Sequence, residues 1–171
     1  MRFFITGISR GLGKAITKEC LSKGHEVWGV ARTNPSDIEE LIHYTKCDIA
    51  NYNEVDNVYK EMISANYIPD VLILNVAVVK DDFYNGIDLK AARETLEVNF
   101  FGNLYWLQLF FHHFSGMPES CIFVNISSVS TFRAIVGNKI SISYPASKSA
   151  MDMIFEGMRV HCGNKKMRFI T

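Results

Sequence analysis

"ITGISRGLGKAI", residues 5–16, decides the fold. It joins a short apolar strand, "RFFIT" at 2–6, to the first turn of a helix. Gly7 lets the chain turn sharply, while Gly11 and Gly13 remove side chains where backbone must approach a ligand or the sheet. Free N–H groups at such a helix start face an anion, and the positive end of the helix dipole favours a pyrophosphate there. Strand, glycine-rich turn and helix in that order predict the opening of a βαβ unit that binds a dinucleotide. The alternative is a glycine-rich turn that holds no ligand.

Outward from this stretch, strand-like and helical patterns alternate. Strand-like segments follow at 26–31, 44–48, 70–75, 121–127 and 167–171, and helical ones at about 11–23, 35–43, 52–65, 88–114 and 145–162. Several strands are apolar without alternation, as expected of parallel strands covered on both faces. The alternation of elements predicts an α/β doubly wound parallel sheet. Ligands of such sheets bind beyond the carboxyl ends of the strands, and every candidate residue below lies there or on the following helix.

The bulk numbers exclude several classes. A chain of 171 residues, 48 % hydrophobic and 21 % charged, suits one globular domain over 1–171 with a substantial core and is barely long enough for two. Eighteen basic residues balance 18 acidic ones, which leaves no electrostatic footprint for nucleic acid or an anionic membrane. "MRFFITG" lacks the apolar core of a signal peptide, and the longest apolar stretch, "VNFFGNLYWLQLFFHHF" at 98–114, is interrupted by two Asn, a Gly and a Gln. It predicts a buried helix rather than a membrane span. Cys20, Cys47, Cys121 and Cys162 are widely spaced without a CxxC, which reads as reduced core thiols in a cytoplasmic protein with no metal site.

Other candidates each carry a bland rival. At "GVARTN", 29–34, Ala31 and then Arg32 stand where a carboxylate would bind the ribose hydroxyls of NAD. Arg32 and Arg10 suit a 2′-phosphate, or are simply exposed arginines. Asp48 accepts a hydrogen bond from an adenine amino group, or caps the following turn. Ser128 in "NISSVS" donates to a substrate oxygen, or forms a turn, and Ser127 is a second candidate. Asn99 lies in an apolar stretch and must find partners in a kinked helix or ordered water. In "YPASK", Tyr144 and Lys148 stack one turn apart on a helix whose first turn tolerates Pro145, as a functional pair or simply as an exposed aromatic with a lysine stem lying across it.

Taken in order, Thr6-Gly7-x-x-x-Gly11-x-Gly13, Asp48, Asn75, Asn99, Ser128 and Tyr144-x-x-x-Lys148 resemble the short-chain dehydrogenase/reductase family over the whole chain. The resemblance implies a Rossmann fold and a catalytic tetrad of Asn99, Ser128, Tyr144 and Lys148. Tyr144 would donate or accept the proton at the substrate oxygen. Lys148 would favour its ionised form and grip the nicotinamide ribose, Ser128 would hold the carbonyl or alkoxide oxygen, and Asn99 would anchor a water. It further implies cofactor contacts at Gly7, Ser9, Arg10, Gly11, Leu12, Gly13, Arg32, Asp48, Ile49, Asn75, Ala77, Tyr144 and Lys148. With the arginines, NADP(H) is expected over NAD(H), and the substrate is a small carbonyl compound or secondary alcohol. Helices at about 88–114 and 145–162 would form a homodimer or homotetramer interface, using Leu104, Trp106, Leu107, Phe110, Met151, Ile154 and Phe155.

The departures carry expectations of their own. "NVAV" at 75–78 puts Val78 where the family has a glycine close to the cofactor ribose. Ser128 and Tyr144 stand 16 residues apart, more than is usual, and the extra residues in "FRAIVGNKIS", 132–141, are expected to reshape the substrate mouth. The chain is expected to stop inside its sixth strand at Thr171, leaving Met167, Phe169 and Ile170 short of cover, before the family's Pro-Gly turn and substrate loop. A second reading is therefore a nucleotide-sensing or scaffolding relative that keeps the fold without turnover.

Overall fold

Successive residues of a strand face opposite sides of its sheet, and here both sides are apolar. Phe4, Trp28, Leu72 and Phe123 point into one core layer, while Ile5, Val27, Val71 and Ile73 point into the other. The strands are β1 (Arg2–Thr6), β2 (Glu26–Ala31), β3 (His43–Lys46), β4 (Val71–Leu74), β5 (Cys121–Asn125) and β6 (Met167–Ile170). All pair in parallel, in the order β3-β2-β1-β4-β5-β6. This computed structural model describes residues 1–38, 42–116, 118–133, 141–162 and 166–171. The order reverses between β1 and β4, the switch point at which such sheets bind ligands.

The helices are α1 (Gly11–Ser22), α2 (Tyr52–Ser64), α3 (Leu89–Leu96), α4 (Asn103–Ser115) and α5 (Ser143–His161). In α2, Asn51 and Glu54 form a reciprocal cap: the Asn51 side chain accepts from the Glu54 N–H, and Asn51 Nδ2 donates to Glu54 Oε1 at 2.8 Å. Trp106 and Phe110 of α4 pack on Phe4 at ring-centroid distances of 4.6 and 5.3 Å. Full burial of one such side chain contributes about 1.5–3 kcal/mol.

Four expectations need correction. The helix expected at 35–43 does not form at its described ends: Ile38 N–H donates to Pro35 O in a turn, and His43 already belongs to β3. His43 stacks on its cross-strand partner Trp28, which draws it into the sheet; 39–41 lie outside the described residues. The helix at 88–114 is not continuous, because a π-helical stretch, Glu97–Gly102, separates α3 from α4. Trp106, Leu107, Phe110, Met151 and Phe155 are buried in the chain's own core, so the large apolar residues exposed on these helices are Leu89, Phe101, Met153 and Val160 instead. Met167 and Phe169 are buried too, with Phe169 stacked on Phe123, and only Ile170 of the three is exposed.

A long-range cap fixes the start of α5. Its N-cap residue, Ile142, offers no side chain to cap it. Instead Asp82, from the segment between β4 and α3, accepts the Ile142 N–H at 2.7 Å and the Ser143 N–H at 2.9 Å. It also accepts the hydroxyls of Ser141 and Ser143. Burial pushes the Asp82 carboxyl up, but the Ser143 hydroxyl and the two N–H donors outweigh it, and the net shift is downward.

Two predictions follow from the backbone and this cap. A Cβ on Gly102 would stand 2.6 Å from the Ile49 carbonyl, whereas one on Gly157 of α5 would meet nothing within 4 Å. Gly102→Ala is expected to destabilise the protein by about 1–3 kcal/mol, and Gly157→Ala to stabilise it by about 0.4–1 kcal/mol, both read from urea midpoints. Asp82 has a lowered folded pKa, so its contribution is present above its unfolded pKa of about 3.9 and is lost as pH falls through the folded value. The stability gap between the protein and its Asp82→Asn variant should therefore shrink below about pH 4. A gap that stays constant to lower pH would show that the ionised carboxylate contributes nothing.

Candidate active site

The glycine turn is shaped by what it packs against. Gly7 has φ +80°, and a Cβ on Gly13 would fall 2.2 Å from the Gly7 carbonyl oxygen and 2.5 Å from Asn75 Nδ2. Asn75 holds the turn by donating to Thr6 O at 3.0 Å and Gly7 O at 3.3 Å, and its N–H donates to Thr6 Oγ1 at 2.9 Å. Gly13 thus serves helix–sheet contact, and neither it nor the exposed Leu12 lines the cleft beside the turn. That cleft has a volume of about 570 Å³.

Gly7, Ser9, Arg10 and Gly11 form one wall of it. No side chain caps α1, so its first N–H groups remain available, and a Cβ on Gly11 would meet nothing within 4 Å. This end of the cleft fits a pyrophosphate. Arg32 and Thr33 follow β2, and Asp48 and Ile49 follow β3. Arg32 Nη1 stands 3.9 Å from Asp48 Oδ2, an exposed pair of little energetic weight. Asp48 also caps its own turn by accepting the Ala50 N–H at 3.1 Å. Asn75, Ala77 and Val78 close the remaining side.

The proposed tetrad sits on the elements around α5. Lys148 is 4 % exposed, and its Nζ donates to Ile126 O at 2.7 Å, past the end of β5. Burial lowers the pKa of its ammonium, an effect that the Asp152 carboxylate partly opposes. Tyr144 is half-buried one turn before it. Neither side chain lines the cleft. Ser128 begins a 3₁₀ turn, Val129–Thr131, that packs on α5, and its Oγ accepts from Ser130 Oγ at 2.9 Å. Ser127 donates to Asp152 Oδ2 at 2.5 Å and is thereby committed to structure. Of the expected insertion, 134–140 lie outside the described residues.

Asn99 finds its partners in protein. Its Oδ1 accepts the Val78 N–H at 2.7 Å, and its Nδ2 donates to Val78 O at 2.8 Å and to Ser147 Oγ at 3.1 Å. Its backbone carbonyl accepts from Asn103 Nδ2 at 3.0 Å, a side-chain bond within the π-helical stretch and the start of α4. Val78 has no positive φ, so a side chain sits there without backbone strain. Sequence reasoning missed Thr33, Asn103, Asp82 and Asp152. Asn103 and Asp152 signalled themselves as polar side chains among apolar neighbours, whereas Thr33 and Asp82 stand among polar residues and gave no such signal; nothing local named the partners. Asp152 accepts from Asn125, Ser127 and Thr171, tying α5 to the ends of β5 and β6.

Comparison with known proteins fits this arrangement. The chain is 29 % identical to farnesol dehydrogenase of Aedes aegypti over 180 residues, covering 96 % of this chain and 71 % of that protein. It is 26 % identical to NADPH-dependent 3-dehydrocapnine reductase of Ornithobacterium rhinotracheale, covering 91 % of this chain and 58 % of that one. Among solved structures, a 4-hydroxyisoleucine dehydrogenase mutant complexed with NADH and succinate superposes with a TM-score of 0.89 at 20 % identity, covering 99 % of this chain and 70 % of the other. That likeness is one of fold. The short chain dehydrogenase description matches residues 2–171, nearly the whole length, and the chain belongs to that family.

Proposed function

We propose that residues 1–171 form a single NAD(P)-binding domain of an oxidoreductase that interconverts a carbonyl and a secondary alcohol, with NADP(H) as cofactor. The observation that carries this reading is the buried Lys148 ammonium, fixed to Ile126 O one helical turn from Tyr144 and beside a cleft suited to a dinucleotide. A buried ammonium costs stability unless it is paired and hydrogen-bonded, and here the Ile126 carbonyl and the nearby Asp152 carboxylate offset that cost. The cofactor, when bound, supplies or accepts the hydride. Tyr144 gives or takes the proton at the substrate oxygen, and the Ser128 hydroxyl donates a hydrogen bond to the same atom. Lys148 favours the phenolate by its charge and holds a ribose hydroxyl.

The relatives' names support oxidoreduction of alcohols and carbonyl compounds. Among the described residues no helix is long and apolar enough to cross a membrane, and no group of side chains suits a metal ion. A cytoplasmic location remains part of the proposal and rests on the four free cysteines; fractionation checks it. Self-association through the helical region at 88–114 and α5 now rests on Phe101 of the π-helical stretch and on Met153 and Val160 of α5, and a monomer in sedimentation at micromolar concentration would remove it. The second reading, a binding protein without turnover, draws on Val78 and on the Asn99 carbonyl already taken by Asn103. Absence of NADPH oxidation across a panel of aldehydes and ketones, with binding intact, would favour it.

Two results test the first reading. Arg10 and Arg32 line the cleft and no carboxylate follows Ala31 directly, so NADPH should bind more tightly than NADH. A charge-assisted hydrogen bond contributes about 1.5–3 kcal/mol, and Arg32→Asp should reverse the preference in fluorescence titrations; equal affinities in the parent protein refute it. Tyr144→Phe should cut turnover by about 10²–10⁴ while leaving NADPH affinity unchanged, and retained turnover would remove Tyr144 from the mechanism.

A further inference from the structure

Four N–H groups at a helix start lack partners within the helix, and a capping side chain accepts from one or two of them. At α5 a single carboxylate, distant in sequence and 0 % exposed, does more than that. Asp82 Oδ1 takes the Ile142 N–H, while Oδ2 takes the Ser143 N–H and the hydroxyls of Ser141 and Ser143. Ser141 Oγ then accepts the N–H of Tyr144 at 3.2 Å, so one hydroxyl separates the Tyr144 backbone from Asp82. Asp82 is itself fixed, because Asp88 N–H donates to its carbonyl at 2.8 Å and a bridge between Phe83 and Ile87 closes the loop between them.

The same segment is gripped at its other end. Val78 is bonded through both backbone groups to Asn99, whose amide also reaches Ser147 of α5. Residues 75–82 therefore hold α5 on both sides of Tyr144, at Ser143 through Asp82 and at Ser147 through Asn99. Asn75, Ala77 and Val78 of this segment also line the dinucleotide cleft. One stretch of backbone thus sets both the cleft wall and the seat of the phenol. We propose that Asp82 is a positioning residue for Tyr144, locking the first turn of α5 to the wall of the cofactor cleft. This rests on the reading of Tyr144 as the proton-transfer group.

The test places 3-fluorotyrosine at position 144 and reads its ¹⁹F line without any substrate, in the protein and in its Asp82→Ala and Asp82→Asn variants. One narrow line is expected in the parent protein, broadened or split in Asp82→Ala. Turnover should fall about 10–100-fold, the scale of a misplacement near 1 Å, with NADPH affinity unchanged. Asp82→Asn keeps one acceptor for the Ile142 N–H and should show a smaller change in the same direction. An unaltered line and unaltered turnover in Asp82→Ala overturn the proposal, as does a loss of NADPH affinity that parallels the loss of turnover. Should Asp82→Ala fail to fold, Asp82→Asn decides: a changed line with full NADPH affinity supports the proposal and an unchanged line overturns it. Retained turnover in Tyr144→Phe would instead refute the assigned mechanism and leave the ¹⁹F result standing as a statement about α5.

Discussion

Gly13 approaches the Gly7 carbonyl so closely that no side chain fits between them, and much of the site depends on that contact. It lets α1 begin directly against the end of β1, which turns the uncapped start of the helix toward the cleft. Asn75 closes the same contact from β4, donating to the carbonyls of Thr6 and Gly7. The switch point between β1 and β4 is thus held by one side-chain amide and two glycines. Because neither glycine carries a Cβ, the turn has no bulk of its own, and its shape comes from the hydrogen bonds laid across it.

A second constraint joins the cleft to the helix of Tyr144. Buried amides and carboxylates are costly when unpaired, so Asn99, Asn103 and Asp82 act as rivets between elements that the chain places far apart. Asn99 bonds the backbone of Val78, Asn103 bonds Val76 O, and Asp82 caps α5. All three fall on the segment that follows β4 or on the helix that crosses it. Asn103 also takes the Asn99 carbonyl of the π-helical stretch, and Gly102 of that stretch lets the helix approach Ile49. Asn99 grips the backbone of Val78 and makes no demand on its side chain.

Several features were legible in advance because their causes are local. Short apolar runs marked β1, β2, β4, β5 and β6 to within a residue or two, since strand burial shows directly in composition, whereas β3, His43–Lys46, is half-exposed and not an apolar run. The glycine spacing gave the turn, and the Tyr144–Lys148 spacing gave a shared helical face. The break in 88–114 was not legible: apolar periodicity continues through Glu97–Gly102, and only the contacts of Asn99, Gly102 and Asn103 show why the helix widens. Burial of Trp106 and Met151 was misjudged because an all-round apolar helix in sequence does not reveal how much of its circumference one core will take.

What the sequence by itself determined was the place of most strands and helices, the anion-suited turn at Gly7–Gly13, and the shared helical face of Tyr144 and Lys148. These follow from backbone sterics, apolar periodicity and side-chain chemistry, all of which act over a few residues. Only the tertiary structure decided that Asp82 caps a helix some sixty residues away, that Ser127 serves Asp152 and leaves Ser128 beside α5, and which face of each helix is covered. The physical reason is that a buried polar group accepts whichever donor packing brings to it. Packing is settled by the sheet order, which brings together segments that are remote in the chain.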